Sequence, residues 1–440
     1  MTETLTLTAE RMSYGPDAVG HLPDGKAVFI PGAAPGDVVE AAIVEDRPTF
    51  ARARLERVAE PGPARADDAP ACAALCGGCP WAHLAYDAQL EAKRANVVSA
   101  LARTGRLGAE RAEEVTAPCV PSKRRWGYRN KIELAATSDA AGRLALGFYR
   151  EGSHDVDAVD ACPAAVRPIE RAPKALRGAL RYLQGSQDLG LFRVGVRGSL
   201  RTRDVEVALW TAPGPFPRNA VAKTLGSAVR ATSIVRVLAD PGKARKVKKV
   251  ESLSGRGCWE EELAGARFLT SAPSFFQVST AQAERLIELV LEGLQVGEGD
   301  LVADLYAGGG TFSVPLARAG ADVVAVEAAG SSVRDLRRNA ELNRVDIEVI
   351  GGDAARELPE LGELDALVVD PPRAGLAKGV ADDIAAAAPR RVAYVSCDPQ
   401  TLARDVALLE ERGYRLVRAT PVDLFPQTFH VETVAILERA

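Results

Sequence analysis

Leu301-Val302-Ala303-Asp304-Leu305-Tyr306-Ala307-Gly308-Gly309-Gly310-Thr311-Phe312 reads as a short apolar strand that breaks into three consecutive glycines. Glycines after a strand let the backbone approach a ligand closely. The run is not the G-x-G-x-x-G dinucleotide fingerprint, and no Walker lysine follows it. A glycine turn alone says little, so its surroundings matter. Downstream, strand-like runs at 322–326, 347–350, 366–369, 392–395, 416–420 and 433–437 alternate with helical segments. Upstream, Ser279 and Gln282 fit a capping box. They open a helix whose apolar face is Leu286, Ile287, Val290, Leu291 and Leu294. Alternating βα units predict an α/β fold with a doubly wound, mostly parallel, seven-stranded sheet. Ligands of such sheets lie at the carboxyl ends of the strands.

Acids stand at those ends. Asp304 closes the first strand, Glu327 the second, Asp353 the third, and Asp370-Pro371-Pro372-Arg373 the fourth. An acid after the second strand can bind a ribose diol. Together these features resemble the class I S-adenosylmethionine (SAM) methyltransferase fold. After the fifth strand comes Tyr394-Val395-Ser396-Cys397-Asp398-Pro399, and Glu432 precedes the last strand. Taken alone, Cys397 reads as a small buried hydrophobe and Glu432 as an ordinary surface acid. Beside a methyl donor they suit a specific problem. Carbon 5 of uracil is a poor nucleophile. Addition of the Cys397 thiolate to carbon 6 makes an enolate whose carbon 5 attacks a methyl group. Glu432 then removes the carbon-5 proton.

Five motifs carry a resemblance to the RNA uridine-5-carbon methyltransferases, which act on ribosomal or transfer RNA. They are Ser274-Phe275-Phe276-Gln277-Val278, Asp304-Leu305-Tyr306-Ala307-Gly308, Asp370-Pro371-Pro372-Arg373, Ser396-Cys397-Asp398-Pro399 with Thr401-Leu402-Ala403-Arg404-Asp405, and Phe425-Pro426-Gln427-Thr428 through Glu432. The resemblance implies Cys397 as nucleophile and Glu432 as proton acceptor. It implies SAM or target-base contacts for Gln277, Tyr306, Gly308, Glu327, Asp353 and Asp370. Thr311 is a further cofactor candidate, standing where many members have Asn. Ser279 replaces a common Asn. The first 58 residues resemble the small RNA-binding barrel called the TRAM domain, through 25–32 and Pro35-Gly36-Asp37. Short strand-like runs there (4–8, 28–30, 38–39, 43–44) with Gly and Pro punctuation already suggest a small barrel. A Pro-rich linker follows at 59–70.

Cys72-x3-Cys76-x2-Cys79 places three soft ligands within eight residues, suiting iron–sulfur or zinc. The resemblance implies a four-iron cluster, with Cys162 as the distant fourth ligand. The family's first gap is usually longer than three residues. Two other readings stay open. One is radical-SAM chemistry, which uses the same spacing. The other is structural zinc held by the three cysteines plus His83 or Cys162. Cys119 and Cys258 have no partner motif and read as structural. After the cysteines, Leu90, Val97, Val98 and Leu101 mark one face of a helix at about 83–103, expected to pack on the catalytic domain. Residues 59–265 form an α+β middle region, and the catalytic domain spans 266–440.

The 440 residues carry 55 Lys and Arg against 59 Asp and Glu, a net charge of −4. That excludes a generally basic coat but leaves room for local RNA-binding patches. Lys123-Arg124-Arg125 with Arg129 and Lys131 is one candidate, and 243–249 is another. Hydrophobic residues make up 47% and charged residues 26%, which excludes disordered and collagen-like classes. No apolar run is long enough to span a membrane, and no signal peptide is evident at the N-terminus. A cytoplasmic, monomeric enzyme is expected. It methylates carbon 5 of a uridine in structured RNA, ribosomal in preference to transfer RNA. A purine N-methyltransferase and a non-catalytic RNA-binding scaffold are the rival readings.

Overall fold

A computed structural model describes residues 4–440 apart from 75, 140, 151, 186–187 and 243–245. The first three residues of the basic run at 243–249 therefore lie outside the described residues. The C-terminal sheet comprises β1 (Leu301–Leu305), β2 (Asp322–Glu327), β3 (Ile347–Gly351), β4 (Ala366–Val369), β5 (Arg391–Ser396), β6 (Tyr414–Val422) and β7 (Glu432–Arg439). Their order is β3-β2-β1-β4-β5-β7-β6. Neighbours from β3 to β5 are parallel, and β7 is antiparallel to both β5 and β6. Every residue of β4 is buried. A sheet covered on both faces needs apolar residues on both, which is why such strands read as continuous runs. The strand order reverses between β1 and β4, opening the ligand crevice there.

One face is covered by α2 (Thr280–Leu294) and the hairpin of Trp259–Leu263 with Ala266–Thr270. The hairpin straddles the junction expected at 265, and its Trp259 and Phe268 enter this core. At Gly293 an added Cβ would lie 2.2 Å from Cδ1 of Ile436, so glycine lets α2 sit directly on β7. The capping-box expectation needs correction. Ser279 occupies the N-cap of α2 but makes no side-chain cap bond. The Gln282 amide instead donates to the Asp423 carbonyl at 3.1 Å, because a buried amide far from water takes the partner that packing supplies.

The other face is covered by α1 (Tyr86–Arg103), the helix Val380–Ala387 and α3 (Pro399–Glu410). The N-terminal six-stranded sheet runs from Thr4–Thr8 to Phe50–Glu60. Its edge strands, Thr4–Thr8 and Arg11–Met12, are separated only by Ala9 and Glu10, so the sheet comes round on itself. It continues past the expected boundary at 58, and the Pro-rich segment after it is no free linker. The buried Asp37 carboxylate accepts from Gly62 N at 2.8 Å and from Arg65 Nη2 at 2.5 Å. Between these parts lies a seven-stranded sheet from Lys131–Ser138 to Lys249–Ser254, with helices Ala172–Gln184 and Arg218–Val229.

The buried face of α1 differs from the expected one. Val97 and Leu101 are buried, Leu90 and Val98 only half-buried, and Gln89, Ala92, Lys93 and Ala100 complete the face. Lys93 and Asp423 form an ion pair in which both side chains have 0% exposure. Lys93 Nζ also donates to the Phe425 carbonyl at 3.0 Å, and Tyr86 OH donates to Asp423 Oδ2 at 2.7 Å. Removing one member of such a pair strands a charge. We expect Lys93→Met to lower unfolding free energy in urea by about 3–5 kcal/mol. The double variant Lys93→Met/Asp423→Asn should recover part of that loss.

Candidate active site

At the cofactor end, β1 carries Asp304 into the turn. Tyr306 adopts φ +65°, a region costly for a non-glycine residue. A Cβ added at Gly308 (φ +57°) would meet nothing within 4 Å, so the turn borders open space. Thr311 is half-buried just before the short helix that follows. The Glu327 carboxylate accepts from Gly308 N at 2.8 Å and Ala329 N at 2.6 Å. Asp353 caps the next helix by accepting from Ala355 N at 3.0 Å. Burial pushes Asp304 up to about 7, although Ser313 Oγ donates to its Oδ2 at 2.5 Å. Burial, with Asp304 nearby, pushes Asp370 up to about 7 as well. Gln277 Oε1 and Asp304 Oδ1 are buried with no partner among the described residues. Unpaired buried polar atoms, one of them on the strand that enters the glycine turn, fit a polar ligand such as SAM.

At the chemistry end, Ser396 of β5 pairs with Thr433 of β7. Cys397 and Glu432 therefore leave the sheet side by side. Glu432 is 5% exposed. Burial, then Asp370, holds its carboxyl well above the usual range. Burial and Glu432 push the Cys397 thiol up to about 12, while Arg373 favours the thiolate. Arg373 lies 4.0 Å from Asp398, which caps α3. His430 is held down to about 4 by burial and by Arg373 and Lys93, so it is neutral at pH 7.

Cys72, Cys76, Cys79 and Cys162 all line one open cavity of about 1520 Å³ beside the middle sheet. Burial, then Cys162, Cys76 and Cys72, push the Cys79 thiol up to about 12. Among the described residues no group of three or more His, Cys, Asp and Glu is placed to hold a metal ion. His83 is corrected as a ligand candidate: its Nε2 lies 3.0 Å from the Ala33 carbonyl, where the segment after the barrel packs back on it. The basic run also divides. Lys123, Arg124 and Arg125 are exposed, whereas Arg129 and Lys131 line the cysteine cavity. Lys131 pairs there with Glu133 at 2.9 Å. All seven cysteines are unpaired, with Cys119 and Cys258 buried.

Residues 264–440 match the family model described as tRNA (uracil-5-)-methyltransferase, and residues 2–55 match the TRAM domain. An uncharacterized RNA methyltransferase of Gloeobacter violaceus is 37% identical over 460 residues, covering 100% of this chain and 97% of that protein. The 23S rRNA (uracil(1939)-C(5))-methyltransferase RlmD of Shewanella amazonensis is 33% identical, with 100% and 96% covered. The crystal structure of Pyrococcus abyssi tRNA (uracil-54, C5)-methyltransferase with S-adenosyl-L-homocysteine superposes with TM-score 0.77 at 27% identity, covering 98% of this chain and 100% of that one. The chain belongs to the RNA uracil-5-methyltransferase family. The seven-stranded sheet is thus a class I SAM methyltransferase fold, and no helix among the described residues is long and apolar enough to cross a membrane.

Several residues hold the methyltransferase site together in ways no local pattern announced: Asn130 and Arg197 lay outside the site motifs, and Gln427 and Asp405 lay inside them with no role assigned. Asn130, between Arg129 and Lys131 of the basic run, donates its amide to the Gln277 carbonyl at 2.8 Å. Arg197, 2% exposed, donates to the Ser271 and Ser274 carbonyls at 3.0 and 2.5 Å. These two middle-region residues shape the Ser274–Gln277 turn. Gln427, at φ +69°, is fixed on three sides. Its N donates to Gln89 Oε1 at 2.9 Å, its Oε1 accepts from Gln89 Nε2 at 2.9 Å, and its carbonyl accepts from Trp81 N at 3.0 Å. The Asp405 carboxylate accepts from Tyr394 OH at 2.6 Å and Leu376 N at 2.8 Å, bracing the loop that bears Arg373.

The raised carboxyls have a thermodynamic consequence. Folded Asp304 keeps its proton up to about 7, whereas the unfolded side chain loses it near 3.8. The folded state then binds more protons between those values, so stability from this group is full at low pH and is lost as pH rises through 7. In calorimetry without ligand, Asp304→Asn should flatten the decline in Tm between about pH 4 and 7, relative to the unaltered enzyme.

Proposed function

We propose that the enzyme methylates carbon 5 of a uridine in ribosomal RNA through a covalent adduct. The observation that carries the reading is the register of β5 and β7, which sets Cys397 beside Glu432. SAM would be held by Gln277, Tyr306, Gly308, Thr311, Glu327, Asp353 and Asp370 and, when bound, would supply the methyl group as an electrophile. Cys397 adds to carbon 6 of uracil, and the electron pair moves to the ring as an enolate. Carbon 5 uses that pair to take the methyl group as the bond between methyl and the sulfonium sulfur breaks, its electron pair staying on the departing S-adenosylhomocysteine. Glu432 removes the carbon-5 proton, and the carbon 6–sulfur bond breaks to release the thiolate. Arg373 favours the thiolate at both ends of this sequence. Exposed Lys123, Arg124 and Arg125 bind RNA phosphates, and Arg129 and Lys131 meet RNA at the cysteine cavity.

Cys397→Ala should abolish methylation of unmodified RNA while SAM binding persists by calorimetry. Glu432→Gln should accumulate a protein–RNA adduct that survives a denaturing gel. Substantial turnover by the alanine variant would eliminate covalent catalysis.

The cysteine cavity supports a further part of this reading. Cys72, Cys76, Cys79 and Cys162 would hold a four-iron cluster with one thiolate per iron. Its role would be to staple the segment near 76 to that near 162, with no part in methyl transfer. Ribosomal RNA is favoured by this cysteine set together with the RlmD relative. Anaerobically purified enzyme should contain iron and inorganic sulfide, both lost with Cys162→Ser. Stoichiometric zinc without sulfide would refute the cluster. Comparing ribosomal with transfer RNA as methyl acceptors decides the substrate.

A further inference from the structure

We propose that Tyr14, carried by the N-terminal barrel, is a positioning residue for the Cys397 nucleophile, an inference resting on the covalent reading above. Tyr14 sits in the turn between Arg11–Met12 and Asp17–His21. Both of its neighbours are tied to other parts of the chain. Asn96 Nδ2 of α1 donates to the Ser13 carbonyl at 3.2 Å, and Trp81 Nε1 donates to the Gly15 carbonyl at 3.0 Å. The ring meets Phe429 edge-on, with centroids 5.9 Å apart and planes at 86°. The half-buried hydroxyl donates to the Cys397 carbonyl at 3.1 Å. The Arg373 guanidinium, which also faces Cys397, acts electrostatically on the same hydroxyl. Tyr14 thus touches the backbone of the nucleophile and faces the cation beside it, from a separate sheet.

The charges facing Cys397 come from each element packed around it. Glu432 begins β7, Asp370 and Arg373 follow β4, and Asp398 precedes α3. Only Arg373 among these favours the thiolate. Asp398 also attracts Arg373, at 4.0 Å. The Tyr14 hydroxyl keeps the guanidinium on the thiol side and fixes the Cys397 peptide. Without it, Arg373 is free to turn to Asp398, and the thiol faces carboxyls alone.

Tyr14→Phe keeps the ring against Phe429 and removes only the hydroxyl. Alkylation of Cys397 by iodoacetamide, followed by peptide mass spectrometry across pH without RNA or SAM, reads the thiolate directly. The profile should move up by about one pH unit, equivalent to about tenfold less thiolate at neutral pH. Single-turnover methylation should fall about tenfold at pH 7 and recover as pH rises, with RNA affinity unchanged. Asn96→Ala, which releases the turn from outside the site, should shift the profile in the same direction by less, and it decides the matter if Tyr14→Phe fails to fold. An unchanged alkylation profile overturns the inference. So does weakened RNA binding with normal alkylation, which would make the hydroxyl an RNA contact. Methylation by Cys397→Ala would instead overturn the nucleophile assignment, whatever the alkylation profile shows.

Discussion

The Lys93–Asp423 pair is the interaction on which the site's geometry depends. Both side chains are fully buried, and burying charge is costly unless it is paired and its remaining valences are met. Here Tyr86 and the Phe425 carbonyl meet them. Such a pair contributes little net stability compared with an apolar substitute, but it tolerates few alternative arrangements. It therefore fixes α1 against the 423–430 segment. Gln89 and Gln427 repeat the link one helical turn away. The segment so held leads into Glu432 and carries Phe429, against which Tyr14 rests.

The catalytic edge follows from strand direction. β5 runs parallel to β4, so Cys397 emerges at the carboxyl end where ligands gather. β7 runs the opposite way, which brings the residue at its start to that same edge. One antiparallel strand in an otherwise parallel neighbourhood thus converts Glu432 from the entrance of a strand into a neighbour of Cys397. The same edge concentrates Asp304, Asp370 and Glu432 in a poorly solvated row. Each is raised by burial, and Asp370 and Glu432 are raised further by the next carboxyl along. Such a row destabilises the free enzyme at neutral pH, as sites built for a ligand commonly do.

The barrel and the middle region both help to build the methyltransferase site. Asn130 and Arg197 shape the turn that bears Gln277, and Tyr14 reaches Cys397 from the barrel. The C-terminal sheet supplies Cys397 and Glu432, and the other two parts make contacts that fix the segments around them.

Sequence alone determined the seven strands of the catalytic sheet, the acids at their ends, and the placement of Cys397 and Glu432 beside the last two inner strands. These are legible because strand burial imposes local apolar runs, and because glycine and proline punctuate them. The Ser274–Val278, Asp370–Arg373 and 396–405 motifs are local too, and they carried the family resemblance. Tertiary structure alone decided where polar side chains find partners. Gln89 and Lys93 fall on the buried face of α1, Gln282 abandons its capping box, His83 turns to Ala33, and Lys123–Arg125 part from Arg129 and Lys131. Helical and strand periodicity count polar residues as solvent-facing. These polar groups are stable there through partners distant in the chain, as Asp423 is from Lys93, and no local pattern encodes that distance.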